Sequence, residues 1–172
     1  MGISVDMFCK TYKANSKAKD KTFEEFIKKH ITTDYIEFLE KDVICTAIVD
    51  ATCRIQVGDK KVAKINSTGR YLLFVMRLID LYTDIDIDFK DANYVREYDA
   101  LNRIGAVDAL IDAIPKSEYA EFNTILNMKM DDFRDNEYSI TAFMYTLKES
   151  LSISEEIINS VIEDFRKQNN AE

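Results

Sequence analysis

The chain has no tryptophan, one proline, four glycines, one histidine and three cysteines in 172 residues. Each shortage excludes something. One Pro and four Gly leave little turn chemistry for a many-stranded sheet, while long unbroken segments suit helices. The single histidine, His30, cannot build a catalytic triad or a His-rich metal site without distant partners that the pattern does not show. It stands at the end of an expected helix, where an imidazole complements the dipole. Cys9, Cys45 and Cys53 are odd in number and form no CxxC, and residues 1–12 show no signal-peptide pattern. Free thiols in a reducing compartment are expected. Cys45 and Cys53 fall two turns apart on one expected helix and read as small buried apolar residues. The glycines form no phosphate-binding loop. No apolar run reaches the roughly 20 residues of a membrane-spanning helix.

What is present is charge and apolar bulk. Net charge is −8, which argues against general or sequence-specific nucleic-acid binding, since that needs a basic surface. The charge is uneven. Residues 1–30 hold seven lysines and four acids, a net +3, which leaves −11 for the remainder. A basic end on an acidic body can steer assembly between copies or with a partner, or can simply keep the chain in solution. Apolar content of 47% is ordinary for a folded protein, and the length suits one domain with a real core.

The chain is organised around Tyr71 to Tyr82, apolar almost all the way round and interrupted only by Arg77 and Asp80. At a spacing of three, those two share one side of a helix. Such a helix is buried by its neighbours on most sides. Asn66-Ser67 caps it, and it is expected to span about 68–83. Before it, residues 54–65 alternate in two short runs about Gly58-Asp59, a β-hairpin pattern. Residues 1–21 read either as a short helix to Ala14 followed by a Lys-rich loop, or as a flexible basic arm. Thr22 and Glu25 form a capping box for a helix ending near His30. Thr33-Asp34 caps a longer helix to about Cys53, with a stripe that includes Tyr35, Ile36, Phe38, Leu39, Val43 and Ile48.

After the central helix, Asp84 to Phe89 alternates strictly and reads as an acidic loop or short edge strand. A helix from Asp91 or Asn93 ends at Gly105, and Val107–Ile114 is a short helix before Pro115. Lys116–Arg134 is amphipathic through Tyr119, Phe122, Leu126, Met130 and Phe133. Two further stripes come after it, Ile140 to Leu151 and Ile157 to Phe165, the second behind a capping box at Ser152 and Glu155. The expected fold is mainly α: a single-domain multi-helix bundle over residues 1–172 around the buried central helix, with the small β-hairpin. A split near the hairpin is the alternative.

Candidate chemistry is sparse. Asp84, Asp86 and Asp88 copy the start of a calcium loop, but the glycine and the closing glutamate of that loop are Phe89 and Val95 here. Carboxylate pairs such as Glu24-Glu25 and Asp131-Asp132 are adjacent and point apart on a helix. No catalytic residue, cofactor site or metal site is expected, and no enzymatic activity. The candidate interaction surface comprises Asp84, Asp86, Asp88, Asp91, Tyr94 and Tyr98, with Ile157, Val161 and Phe165 of the last stripe.

From about Thr11 to Leu151 the chain resembles a group of small proteins encoded with the structural genes of tailed phages and prophages of low-GC Gram-positive bacteria. The residues that carry this are Lys64-Ile65-Asn66-Ser67, Tyr71 to Ile85, Glu97-Tyr98-Asp99-Ala100-Leu101-Asn102 and Phe122 to Met128. The resemblance carries no catalytic motif. It implies a non-enzymatic role in virion assembly, as a head–tail neck adaptor or a tail assembly chaperone. The implied partners are other phage structural proteins and further copies of the chain, in the host cytoplasm and, for a neck protein, in the virion. The other functional reading is an acidic DNA mimic that blocks a host nuclease or defence protein, for which the aspartates from 84 to 91 are the motive.

Overall fold

Residues 67–82 form the rod that the apolar pattern demands. The structure is a computed structural model and describes residues 2–16, 21–57, 60–137 and 160. In chain order its elements are β1 (Ile3–Ser4), α1 (Val5–Asn15), α2 (Lys21–His30), α3 (Phe38–Cys53), β2 (Arg54–Val57), β3 (Lys60–Ala63), α4 (Ser67–Tyr82) and β4 (Ile85–Asp86). A single 3-10 turn, Lys90–Ala92, leads into α5 (Asn93–Asn102), α6 (Ala106–Ala113) and α7 (Lys116–Glu137). The fold is a mainly α bundle around α4 with one antiparallel hairpin. By internal contacts the chain divides into two compact units, residues 1–126 and 127–172, and the division falls inside α7 rather than at the hairpin. The first unit holds α1 to α6, the hairpin and the first half of α7. Of the second, only residues 127–137 and Ser160 are described, so the stripes at 140–151 and 157–165 lie outside the described residues.

Helix α4 begins where Asn66 caps it, its side chain accepting from the Gly69 amide at 2.9 Å. Phe74, Val75, Met76, Leu78, Ile79 and Tyr82 are buried, and α3, α5, α6 and β4 pack around the rod. Full burial of one such side chain is worth about 1.5–3 kcal/mol, so these positions dominate the core.

The hairpin pairs Arg54 with Ala63 and Val57 with Lys60 across residues 58–59. Its base is tied shut: the Lys64 amide donates to the Cys53 carbonyl at 2.8 Å, and the Asn66 amide to that of Thr52 at 2.7 Å. The end of α3 is thereby joined to the start of α4.

Residues 5–15 are no flexible arm. Val5, Phe8 and Tyr12 recur at helical spacing, and the core of α4, α5 and α6 buries them. Ser4 caps α1, and β1 pairs in parallel with β4, Ile3 opposite Ile85. The alternating segment after α4 therefore starts as a short paired strand, with Ile85 in it and Ile87 just beyond it both buried. The Tyr12 hydroxyl donates to the Gly105 carbonyl at 3.0 Å. Gly105 has φ of +72° and turns the chain from α5 into α6, a conformation that costs a residue with a Cβ about 1–2 kcal/mol.

The start of α3 differs from expectation. The helix begins at Phe38, and residues 31–37 are non-helical apart from a bridge of Ile31 to Thr83. Two of their backbone donors are satisfied from far away in sequence. The Thr32 amide donates to the Tyr82 carbonyl at 2.9 Å, and the Ile36 amide to a Glu118 carboxylate oxygen at 3.0 Å. Partners held by tertiary structure replace the helical bonds that a cap at Thr33-Asp34 would have started.

Candidate functional site

The acidic segment is held by the two residues that interrupt the central rod. Arg77 stacks on the Phe89 ring, 3.6 Å from its centroid, and Asp80 accepts from the Ile87 amide at 3.3 Å. Burial raises Asp80 above the ordinary carboxylate range, against the pull of the Ile87 amide and Arg77.

Two of the four aspartates are engaged within the chain. Asp84 Oδ1 lies 2.8 Å from His30 Nδ1, and the imidazole is packed edge-on by Phe8 and Phe26 at 5.0 and 4.8 Å. His30 is the last residue of α2, as its expected dipole role requires. Asp88 accepts from the Lys90 amide at 2.9 Å and from Asn93 Nδ2 at 2.8 Å, which holds its carboxyl below the usual range. Asp86, opposite Ser4, and Asp91, with φ of 50°, are exposed. Among the described residues no three His, Cys, Asp or Glu side chains are placed to hold a metal ion.

Tyr94 and Tyr98 are half-buried on α5. Tyr94 leans on Phe89 at 5.8 Å between ring centroids. Tyr98 meets Tyr71 edge-on at 6.3 Å, and their hydrogen bond, with burial, pushes its hydroxyl up to about 12. Ile157, Val161 and Phe165 lie outside the described residues. Cys45 and Cys53 are buried and Cys9 is half-buried, all three free of disulfides.

A buried ionic network went unread in the sequence. Lys41 is fully buried on α3. Its Nζ donates to the Glu118 carboxylate at 2.9 Å and also to Glu121. The Tyr82 hydroxyl donates to Glu118 Oε2 at 2.6 Å, beside the Ile36 amide. The rings of Tyr35 and Phe122 lie 5.0 and 5.7 Å from Nζ. Burial pulls Lys41 down, but the bonds from Glu121 and Glu118 outweigh it and hold the ammonium above its ordinary range. Burial pushes Glu118 up, but Tyr82, Lys41 and the Ile36 amide outweigh it and hold the carboxyl below its ordinary range. Burial and the Glu118 charge push Tyr82 far up, so it stays a donor. Among the described residues no buried side-chain nitrogen or oxygen lacks a partner. The network clamps α3 and α4 to α7, with Lys41 and Glu118 enclosed and Glu121 partly open to solvent. Its one sequence signal is spacing: Lys41 continues backwards the 4-3-4 series of Cys45, Ile48 and Thr52.

With Lys41 turned inward, Ile36 and Ile48 of the expected stripe are buried, but four of its other residues face out. Tyr35, Phe38, Leu39 and Val43 are 58%, 54%, 76% and 66% exposed. Ala47 and Ala51 are exposed further along the helix. Single exposed apolar residues are ordinary, but neighbours along one helix make a patch of the kind that marks interaction sites. Among the described residues no helix is long and apolar enough to cross a membrane. No family model, curated protein or solved structure matches the chain.

Proposed function

We propose that the chain is a non-enzymatic assembly protein of a tailed phage or prophage, a head–tail neck adaptor or a tail assembly chaperone, acting through protein–protein contacts. The resemblance over residues 11–151 supports the phage context. The observation that carries the contact role is the outward face of α3, where Phe38, Leu39 and Val43 are each more than half exposed. Burying such a face against another protein recovers about 25 cal/mol for each Å² of apolar surface removed from water. The enclosed Lys41–Glu118 network supports the same reading, because it makes α3 a firm ledge for a partner.

The test is co-expression with the portal, head-completion and tail proteins encoded beside it. A stoichiometric complex with one of them, weakened by Leu39→Glu in a variant that still folds, is the expected result. A chain that binds none of them overturns the proposal.

A further inference from the structure

We propose that the groove between α1 and α5 seats a short extended segment of another protein, one that carries carboxylates at one end and a lysine or arginine about 10 Å further along. The proposal goes beyond the α3 surface and does not depend on it.

Helices α1 and α5 pack against each other. Ser4 and Asp6 line a cavity of about 310 Å³ together with Asn93 and Glu97 at the start of α5. Lys10 and Lys13 line a second, of about 250 Å³, together with Arg103 just past the end of α5. The two helices therefore run in the same direction. Asp6 and Ala100 line both cavities, which makes them one groove. Asp6, Cys9, Lys10 and Lys13 follow at steps of three, one and three residues, so one side of α1 forms one wall. From Asp6 to Lys13 that wall covers about 10 Å.

One end of the groove is basic. Lys10, Lys13 and Arg103 are exposed around half-buried Cys9 and Ile104. Among the described residues none of these three cationic side chains has an ion pair or hydrogen bond, whereas Lys41, Arg77 and Lys116 each hold a carboxylate. No internal counter-charge replaces a ligand. Asp6 makes no ion pair with Lys10 one turn away, and burial holds the Cys9 thiol above its ordinary range against the pull of Lys13. The Tyr12 hydroxyl bond to the Gly105 carbonyl ties the end of α1 to the turn after Arg103, so the backbones that carry these cations are positioned before anything binds.

The other end is acidic. Asp6, Asp88 and Glu97 line it, with Arg96 beside them. Burial raises Glu97 above the ordinary carboxylate range, and the charges of Asp88, Asp6 and Asp80 add to that against the pull of the Asp88 amide. A cation seated there relieves the crowding.

Shape and charge choose the occupant. Each cavity stands at or below the lower end of the roughly 300–1,000 Å³ of small-molecule pockets, and the two are strung along the helices, which suits a narrow stretch of chain. A nucleic acid would set phosphates on both ends, and the acidic end repels them. Opposite charges about three extended residues apart, at about 3.3 Å each, meet both ends. A carboxylate among Lys10, Lys13 and Arg103 gains charge-assisted bonds, the guanidinium fork above all.

The test is two-dimensional NMR of the full isotope-labelled chain with a blocked hexapeptide of two glutamates, two alanines and two lysines in that order. The expected result is shifts of the Asp6, Lys10, Glu97 and Arg103 amides with a Kd of about 1 mM or tighter. Peptides with glutamine in place of the glutamates or of the lysines should bind roughly threefold more weakly. Arg103→Glu should weaken the hexapeptide about tenfold. Glu97→Gln, whose amide oxygen still accepts from the Asp88 amide, should weaken it roughly threefold and leave the lysine-free peptide unchanged. Both variants should keep the urea midpoint of the parent, which separates lost binding from lost fold. No shift in the groove, or equal binding of all three peptides, overturns the proposal. So does displacement of the hexapeptide by oligothymidylate, which would make the groove a nucleic-acid site. The same shifts on raising the protein concentration alone would make a second copy the occupant and overturn it too.

Discussion

Helices α3 and α4 are both sixteen residues long and both rich in apolar side chains, yet α3 buries a charge and α4 does not. In α4, Arg77 and Asp80 stay partly open to solvent, at 40% and 29% side-chain exposure, and Phe74, Val75, Met76, Leu78, Ile79 and Tyr82 go inward. In α3, Lys41 goes inward and Phe38, Leu39 and Val43 go out. The difference lies in what waits across the interface. Opposite Lys41 stand two carboxylates on α7. A buried charge that is paired and hydrogen-bonded is tolerated, and without its partner it costs several kcal/mol. Apolar character alone therefore does not say which side of a helix becomes core.

The strongest way to break the comparison is to remove the partner. Glu118→Ala leaves Lys41 buried with only Glu121, and Tyr82 without its acceptor. We expect a loss of about 3–5 kcal/mol in urea unfolding. The double replacement Lys41→Met with Glu118→Leu should recover most of that loss, because well-packed apolar residues substitute for a buried pair. A Glu118→Ala variant as stable as the parent would show that the network holds nothing. The pH response separates the two helices further. Glu118 is depressed in the folded state, so its contribution is present above the ordinary carboxylate pKa and is lost as pH falls through the folded value. Lys41 is raised, so its contribution is present below the ordinary ammonium pKa and is lost as pH rises through the folded value. Asp80 on α4 is also raised, which for an acid has the opposite sense: it opposes folding when ionised and is relieved by acid. Glu118→Gln should therefore flatten the acid limb of the stability curve, and Asp80→Asn should steepen it.

Truncation sharpens the contrast at smaller cost. Met76→Ala in α4 should cost about 2–5 kcal/mol, since Met76 is fully buried. Val43→Ala on the outward side of α3 should stay within about 0.5 kcal/mol for the folding of one copy. Thermal unfolding of dilute samples compares the two, and equal losses would mean that Val43 belongs to a core after all.

The smallest effect is expected in the connection from β4 to α5. Ala92 holds φ of 60°, a left-handed conformation that suits glycine better. Ala92→Gly should be neutral or stabilising by up to about 1 kcal/mol, whereas Ala92→Val should destabilise. A stability drop with glycine would mean that the backbone strain there is absent.

Much of the bundle was legible locally. The apolar run of residues 71–82, the Asn66 cap, the hairpin about residues 58–59 and the stop at Gly105 all arise from interactions within a few residues. Burial of Cys45 and Cys53 was legible from their type and spacing. The acidic segment was legible as alternation, but its pairing with β1 was not, because Ile3 and Ile85 lie far apart in sequence. The same holds for His30 with Asp84: either residue alone has only an ordinary surface role.

The sequence by itself determined that this chain is helical, that residues 71–82 lie at its centre and that one hairpin interrupts the helices, because propensity, capping and periodicity act over one or two turns. Only the tertiary structure decided which side of α3 faces inward and where that helix starts. Those outcomes depend on Glu118 and Tyr82, carried by α7 and α4, reaching Lys41 and the Ile36 amide. Spacing puts Lys41 in line with Cys45, Ile48 and Thr52, but nothing local marks a charge as buried, because the partner that makes it stable lies on another helix.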